Sequence, residues 1–342
     1  MGIASLERNS VVPMFRKVFQ LCLIAFPVLS GFGLVSSTLG ADLKVVVVVG
    51  AEGESEYGED FRKRTDLWRS AASKGGADFH VIGMDGKGAG DREKVEKVFS
   101  STENPELWMV LIGHGTYDGR TAKFNLRGPD FTDEELGRWA DLYEGEFSLI
   151  NTASASGSFI KSLAGPNRVV ITATKSASEI YYSRFGIYFT EAITGKPEAD
   201  LDNDDQVSLL EAFLFAASEV SLFFEKEGRL ATEHSVMDDN GDGIGSRPEW
   251  FEGTTAVQVA NEKSGPDGER AQQKVLVRND FERNLTIEQR RSRDELEREV
   301  RSLRREKEDL AEELYYTRLE EILLKIAKIY GEVKSDSSGI RR

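Results

Sequence analysis

The residues best suited to acid–base chemistry are a histidine between two glycines and a serine in a run of small residues. Gly113-His114-Gly115-Thr116 follows the apolar run Trp108–Ile112, and Ser154 lies in the stretch 151–159, after the predicted strand Phe147–Ile150. An imidazole is a common general base, and a serine hydroxyl becomes a nucleophile when such a base takes its proton. His114 is therefore the best candidate for a general base. The other histidines, His80 and His234, are predicted to be structural because histidine is often half-buried.

Two acidic loops have the spacing of Ca²⁺ ligands. The first loop places oxygen donors at positions one, three, five, seven, nine and twelve of a twelve-residue loop. They are Asp200, Asp202, Asp204, Gln206, Ser208 and Glu211. The second loop repeats the pattern with Asp238, Asn240, Asp242, the expected glycine at Gly243, and Glu249 at position twelve. Asp205 replaces the usual glycine in the first loop and Pro248 alters the exit of the second, so calcium loops and solvated acidic turns both remain open.

Other cofactors are not expected. Neither acidic loop supplies a histidine or cysteine, so zinc is not predicted. Gly50, Gly53 and Gly58 do not form the Gly-x-Gly-x-x-Gly pattern, so no nucleotide site is predicted.

The elements that must position these residues alternate between strand and helix. Val45–Val49 is a continuous β-branched run of the kind buried on both faces of a parallel sheet. Further strands are predicted at 79–82, 108–112, 147–150 and 169–172, with helical patterns between most of them. This order predicts an α/β fold with a mostly parallel sheet sandwiched by helices, whose ligand site lies at the carboxyl ends of the strands.

The second half of the chain is mainly helical. Ser208–Phe224 has one apolar face, and Thr286 and Gln289 stand at capping-box spacing before a charged helix that reaches about residue 330. A short heptad seam is formed by Leu296, Val300, Leu303, Leu310 and Leu314. The seam fits either a long helix that forms a homodimer or a helical hairpin packed on the main domain.

The two strand-end motifs resemble the caspase and legumain group of cysteine peptidases. In that group one strand ends in His-Gly and the next ends in Ala-Cys, two residues, then Gly; aligning Ala153 and Gly157 puts Ser154 in the cysteine position. The resemblance covers about residues 43–230. It implies a caspase/legumain-like sheet, His114 as the imidazole of a dyad, and an oxyanion hole made by the N–H groups of Gly115 and Ser154. It also implies that the loop with Lys175, Ser176 and Ser178 borders the substrate pocket.

Serine at the cysteine position leaves three hypotheses for this site. Ser154 is a working nucleophile activated by His114, with Asp118 or a carbonyl orienting the ring. Alternatively, the fold is a degenerate peptidase that binds peptide segments, or Ser154 is only a helix N-cap. A different class of function is a calcium-stabilised scaffold that acts through its C-terminal helix.

The N-terminal sequence and the charge bear on compartment and partners. Arg16 and Lys17 precede an apolar run at 18–35, which predicts a signal peptide over residues 1–41 and a secreted or periplasmic protein, or a membrane anchor if the segment is not cleaved. Cleavage would remove Cys22, the only cysteine, and change the formal charge from −15 to −17, because one acid and three bases are lost from 59 and 44. Such acidity argues against nucleic acid and anionic membranes as partners.

These observations divide the chain into five parts. A signal peptide at 1–41 precedes an α/β domain at 42–260 that carries the acidic loops. A linker at 261–284 leads to a charged helical extension at 285–331, and a disordered tail follows at 332–342.

Overall fold

A computed structural model of the chain describes residues 41–86 and 90–339. Its strands, in chain order, are β1 (Leu43–Val49), β2 (Asp78–Ile82), β3 (Glu106–Ile112), β4 (Gly115–Tyr117), β5 (Ala122–Phe124), β6 (Phe131–Thr132), β7 (Glu146–Asn151), β8 (Arg168–Thr172), β9 (Val236–Asp238), β10 (Phe251–Glu252) and β11 (Thr255–Ala256). Its α-helices are α1 (Ser55–Gly75), α2 (Asp91–Ser101), α3 (Asp133–Ala140), α4 (Ser158–Leu163), α5 (Phe185–Ile193), α6 (Leu209–Lys226), α7 (Ile287–Arg305) and α8 (Glu312–Gly339).

The central sheet has six strands in the order β2-β1-β3-β7-β8-β9. All neighbouring pairs are parallel except β8 with β9. Successive residues of a strand face opposite sides, so the apolar run at 45–49 is buried on both faces, with Val45 and Val47 in one core and Val46 and Val48 in the other. The predicted mostly parallel sheet sandwiched by helices is therefore confirmed.

Helices cover both faces of this sheet. Phe61 and Trp68 of α1 share one core with α5 and α6, whereas Val95 of α2 and Leu136 of α3 share the other core with α4. Thr132 begins α3 with a reciprocal capping box to Glu135, and Ser208 begins α6 in the same way with Glu211. These caps satisfy backbone N–H groups that a helix start leaves without partners.

Six short strands of the described residues, β4 to β6 and β9 to β11, were not predicted from the sequence. β4, β5 and β6 form a separate antiparallel sheet that begins at Gly115, immediately after His114. With two or three residues each, they are too short to show a period of two.

The C-terminal helices α7 and α8 form a hairpin within one chain. Leu296, Val300, Leu303 and Leu310 of the predicted seam pack against Tyr315, Leu319, Ile322 and Ile326. Of the two arrangements that the seam allowed, the structure shows the hairpin. Thr286 caps α7 through the predicted capping box with Gln289.

Two boundaries differ from the sequence-based division. The segment expected to be a linker, 261–284, packs on the domain, because Asp267, Ala271 and Leu276 are buried. α8 continues to Gly339 instead of giving way to a disordered tail after residue 331. Gly331 has no left-handed φ and no proline follows it, so nothing in the backbone stops the helix there.

The expected signal peptide at 1–41 lies outside the described residues apart from its last residue. Among helices of the described residues, none is long and apolar enough to cross a membrane.

Candidate functional site

The candidate dyad lies at the carboxyl edge of the sheet. β3 ends at Ile112 and leads to His114, and β7, which pairs with β3 in parallel, ends at Asn151 and leads to Ser154. The loop after β1, on the other side of β3, contributes Glu52. The carboxyl ends of parallel neighbours share one edge of the sheet, and the structure places the segments after these strands in direct contact.

Ser154 is joined to the backbone of Gly115 by hydrogen bonds in both directions. Its Oγ accepts from the Gly115 N–H at 3.3 Å and donates to the Gly115 carbonyl at 3.1 Å. The Ser154 side chain is buried. Both the proton and an acceptor site of the hydroxyl are thus occupied by backbone groups of the neighbouring strand end.

The turn that carries Ser154 is held in an unusual conformation. Ala155 has φ +54°, a left-handed value that a residue with a Cβ adopts only at a cost. Its N–H donates to the Glu179 carbonyl at 2.8 Å. Thr174 Oγ1 accepts from the N–H groups of Ser156 and Gly157, at 2.9 and 3.0 Å. The loop after β8 therefore fixes this turn from one side.

The His114 ring is fixed by aromatic side chains and one carbonyl. Its centroid lies 4.9 Å from that of Tyr57, 5.4 Å from that of Phe61 and 6.1 Å from that of Tyr182. Its Nε2 lies 3.2 Å from the Glu52 carbonyl oxygen. Because a carbonyl only accepts, Nε2 must carry the proton in this contact, which leaves Nδ1 as the basic nitrogen of the neutral ring.

The ring is contacted by the Glu52 carbonyl, and the Asp118 carboxylate has different partners. Asp118 Oδ1 accepts from the N–H groups of Arg120 and Thr121 at 2.9 and 2.8 Å, closing the turn between β4 and β5. These hydrogen bonds stabilise the ionised carboxylate and lower the pKa of Asp118.

The glycines around His114 permit close chain contact without a left-handed turn. A Cβ on Gly115 would lie 2.0 Å from the Ser154 carbonyl oxygen, and a Cβ on Gly113 would lie 2.9 Å from the Phe124 ring. Neither glycine has a left-handed φ, so what the missing Cβ permits at both positions is close packing of neighbouring chain segments.

This arrangement brings the dyad residues together without joining them. No hydrogen bond of the described residues links His114 to Ser154. The Gly115 N–H, expected in an oxyanion hole, points to the serine hydroxyl itself. A serine needs a hydrogen-bonded base to become a nucleophile, whereas the Ser154 hydroxyl in this structure is bonded to the Gly115 backbone.

The expected substrate loop lies against the Ser154 turn. Ser176 Oγ and Ser178 Oγ are 2.6 Å apart, and the Lys175 N–H donates to the Glu179 carboxylate at 3.1 Å. Glu179 also bonds His234 Nδ1 at 2.6 Å. Sequence reasoning assigned no partner to His234, because 55 residues separate it from Glu179.

The first acidic loop gathers three carboxylates. Asp200, Asp202 and Asp204 each offer one oxygen, and these oxygens lie within 4.8 Å of one another, a spacing that fits the 2.3–2.6 Å bonds of Ca²⁺. Desolvation and the carboxylates of Glu211 and Asp204 raise the pKa of Asp202 to about 6. Asp205, at the position where glycine is usual, has φ +64°.

The remaining donors of the first loop are committed to the protein. Glu211 Oε1 accepts from the N–H of Leu201 at 2.8 Å, and its Oε2 accepts from the N–H and Oγ of Ser208. Gln206 Oε1 accepts from the Asn279 N–H at 3.1 Å. In this structure Glu211 therefore completes the capping box that Ser208 begins at the start of α6.

The second acidic loop is folded around its own side chains. Asp238 accepts from the N–H groups of Gly241 and Gly243, and Asn240 Oδ1 accepts from Asp242. Asp242 Oδ2 is buried without a hydrogen-bond partner, as a cation ligand would be. Glu249 does not join this loop: it lies in a 3₁₀ turn at Pro248–Trp250, and the described residues hold no metal-sized group of acids other than the first loop.

Two buried aspartates beside the second loop were missed by sequence reasoning. Asp239 accepts from the N–H groups of Gly268, Arg270 and Ala271, and Asp267 accepts from those of Asp239 and Asn240. Burial and the neighbouring Asp267 raise the pKa of Asp239 to about 7. Only the folded chain brings position 239 next to position 267, so local spacing carried no signal.

Comparison with known proteins adds little to this geometry. No protein-family model matches the chain, and no curated protein matches it. Solved structures similar to the chain include caspase-1 from Spodoptera frugiperda, at 10% identity and a TM-score of 0.35 over 58% of this chain and 86% of that one. The Drosophila initiator caspase Dronc is similar at 12% identity and a TM-score of 0.36, over 61% and 84%. At these TM-scores the likeness carries no argument about the site.

Proposed function

We propose that the chain is a degenerate peptidase-like protein that binds peptide segments at the carboxyl edge of its sheet without hydrolysing them. The observation that supports this most directly is the pair of hydrogen bonds, one accepted and one donated, between the Ser154 hydroxyl and the Gly115 backbone. A hydroxyl in this position does not reach a base, and the N–H that would stabilise an oxyanion is already used.

The surface beside the Ser154 turn supports a binding role. Ile180 and Tyr181 are 56% and 68% exposed, and they follow Glu179, whose carbonyl accepts from Ala155. Neighbouring large apolar side chains that are exposed are typical of interaction sites. Peptides are the proposed partners because the resemblance of the strand-end motifs is to peptidases.

A first experiment measures hydrolysis of a peptide panel by the full chain and by Ser154→Ala and His114→Ala. The proposal expects no cleavage above the level of the two variants. One observation favours hydrolysis instead. The Glu52 carbonyl contacts the His114 ring, as the third group of a catalytic triad does. Cleavage that both variants abolish would show a serine-type hydrolase and refute the degenerate site.

A second experiment measures binding of a random heptapeptide library by equilibrium dialysis and mass spectrometry. Tyr181→Ala is expected to weaken the retained peptides about tenfold, the effect of losing roughly 1.4 kcal/mol of apolar contact. Leu142→Ala, at a residue that is 59% exposed after α3, serves as the matched control and should change nothing. A library of which no member is retained would refute binding itself.

The alternative class, a scaffold acting through the C-terminal helices, has its own observation. α8 leaves Leu314, Tyr316, Leu323 and Leu324 about half exposed or more. A homodimer through this helix would give twice the chain mass in light scattering, and Leu324→Lys should abolish it.

A further inference from the structure

Two cavities adjoin at the end of β8, beside the Ser154 turn. One has a volume of about 250 Å³ and the other about 300 Å³. Lys175, Val236 and Arg247 line both cavities, so a ligand can occupy the two at once. We call them the apolar cavity and the basic cavity, after the side chains described next.

The apolar cavity has walls suited to a large apolar side chain. Phe185, Val220 and Trp250 line it, and the first two are almost fully buried. Moving a side chain such as phenylalanine from water into such a cavity is favourable, because apolar surface leaves water on both sides of the contact.

The basic cavity is lined by Lys161, Lys175 and Arg247 and, within the described part of the chain, by no acidic residue. Lys175 Nζ lies 3.8 Å from Glu179 Oε1. Among the described residues, Lys161 and Arg247 make no ion pair, and both side chains are exposed. A lining with three cations, two of them outside any ion pair of the described residues, is notable in a chain with a formal charge of −15. Such a cavity attracts an anion, and Arg247 can bind a carboxylate through two parallel N–H donors.

Of the residues described around the two cavities, the acidic ones line the apolar cavity and not the basic cavity. Glu233 lies in that wall, but its carboxylate accepts from Ser183 Oγ and from the N–H groups of Arg184 and Phe185. Glu249 lines the same cavity and not the basic one. An anion is therefore repelled from the first cavity and attracted to the second.

We propose that these cavities bind the carboxyl terminus of a peptide that ends in a large apolar residue. In such a residue the apolar side chain and the carboxylate are attached to one Cα, so they can enter two cavities that meet at Lys175 and Arg247. The proposal rests on the proposed binding of peptide segments and names the segment. Binding at these cavities needs neither His114 nor Ser154.

The test uses the fluorescence of Trp250 in the full chain. Trp68 and Trp108 are fully buried and Trp139 is 7% exposed, so the signal of a ligand in the apolar cavity comes from Trp250, and Trp250→Phe should remove it. The probe is acetyl-Ala-Ala-Phe with a free carboxylate, and the comparison probes are its C-terminal amide and 3-phenylpropionate. The free acid is expected to bind at least tenfold more tightly than the amide, and more weakly as salt rises.

Substitutions of the cations that line the basic cavity test where the carboxylate of the probe binds. Arg247→Gln is expected to weaken binding of the free acid about tenfold and to leave binding of the amide unchanged. Lys161→Gln is expected to weaken binding of the free acid by a smaller factor. Arg138→Gln, an exposed arginine on α3, is the matched control and should change neither probe. Unchanged thermal midpoints show that the variants fold.

Three outcomes would overturn the assignment. Equal binding of acid and amide would exclude a carboxylate site, and unchanged binding in Arg247→Gln would place the carboxylate elsewhere. Binding of 3-phenylpropionate as tight as that of the peptide would assign the cavities to small acids. Each of these results leaves the dialysis test of peptide binding intact, so failure here is distinguishable from failure of the proposed function.

Discussion

At the scale of single residues, the observed role of Ser154 is to join two strand ends through its hydrogen bonds to Gly115. Its hydroxyl replaces the partners that the Gly115 backbone would otherwise seek in water. We expect Ser154→Ala to lower the free energy of unfolding by about 1–2 kcal/mol, since two buried hydrogen bonds are lost. Urea unfolding measures this. Ser100→Ala, on the exposed face of α2, should stay within about 0.5 kcal/mol of wild type. Equal stability of all three proteins would show that the contact contributes nothing.

Calcium at the first acidic loop is also a question of individual side chains. The three gathered carboxylates predict a calorimetric heat on Ca²⁺ addition to the full chain and its loss in Asp204→Asn, which removes one charged ligand. Asp205→Asn is the matched control, because Asp205 contributes no oxygen to that group and asparagine tolerates a left-handed φ equally well. A parent protein that gives no heat would end the calcium hypothesis for this loop.

At the scale of elements, the C-terminal hairpin forms a small core of its own. Leu303 of α7 is 1% exposed and packs with Tyr315 and Ile322, in a cluster separate from the two cores of the sheet. We expect Leu303→Ala to cost about 2–4 kcal/mol locally and to open α7 and α8 while the sheet stays folded. Hydrogen exchange should rise in 287–330 and stay unchanged in β1 and β3. An equal rise in both regions would show that hairpin and sheet unfold as one unit.

The elements themselves show how far sequence patterns reach. The run at 45–49 predicted a central strand because its residues are apolar on both faces, and the capping-box spacing of Thr286 and Gln289 marked the start of α7. These signals are local. The Glu52 contact to His114 spans 62 positions and the Ser154 contact to Gly115 spans 39. The sequence pattern predicted that His114 and Ser154 lie at one edge of the sheet. It could not show that the Ser154 hydroxyl is bonded to the Gly115 backbone and not to the imidazole.

At the scale of the whole molecule, a buried ammonium links the sheet to the segment before the hairpin. Lys274 pairs with Glu106 at 3.2 Å and with Glu146, at the amino ends of β3 and β7. Burial alone would lower the pKa of Lys274, but these carboxylates raise it. Burial alone would raise the pKa of Glu146, but Lys274 holds it below its ordinary value. The segment at 271–276 thereby becomes part of the domain, where sequence composition suggested a linker.

Removing this ammonium gives a pH dependence whose sign follows from those shifts. A lowered glutamate pKa adds stability that is present above its unfolded value and lost as pH falls through its folded value. Lys274→Met should lower the free energy of unfolding at pH 7 by about 3 kcal/mol, near the lower end for a broken buried pair because the Glu146 side chain is 38% exposed. The deficit should shrink as pH falls below 4.5, the ordinary pKa of a glutamate, and through the lowered pKa of Glu146, because that carboxylate then takes up a proton. Urea midpoints at several pH values test this, with Lys97→Met on the surface of α2 as the control. A deficit that is independent of pH would mean that the lysine contributes packing and not charge.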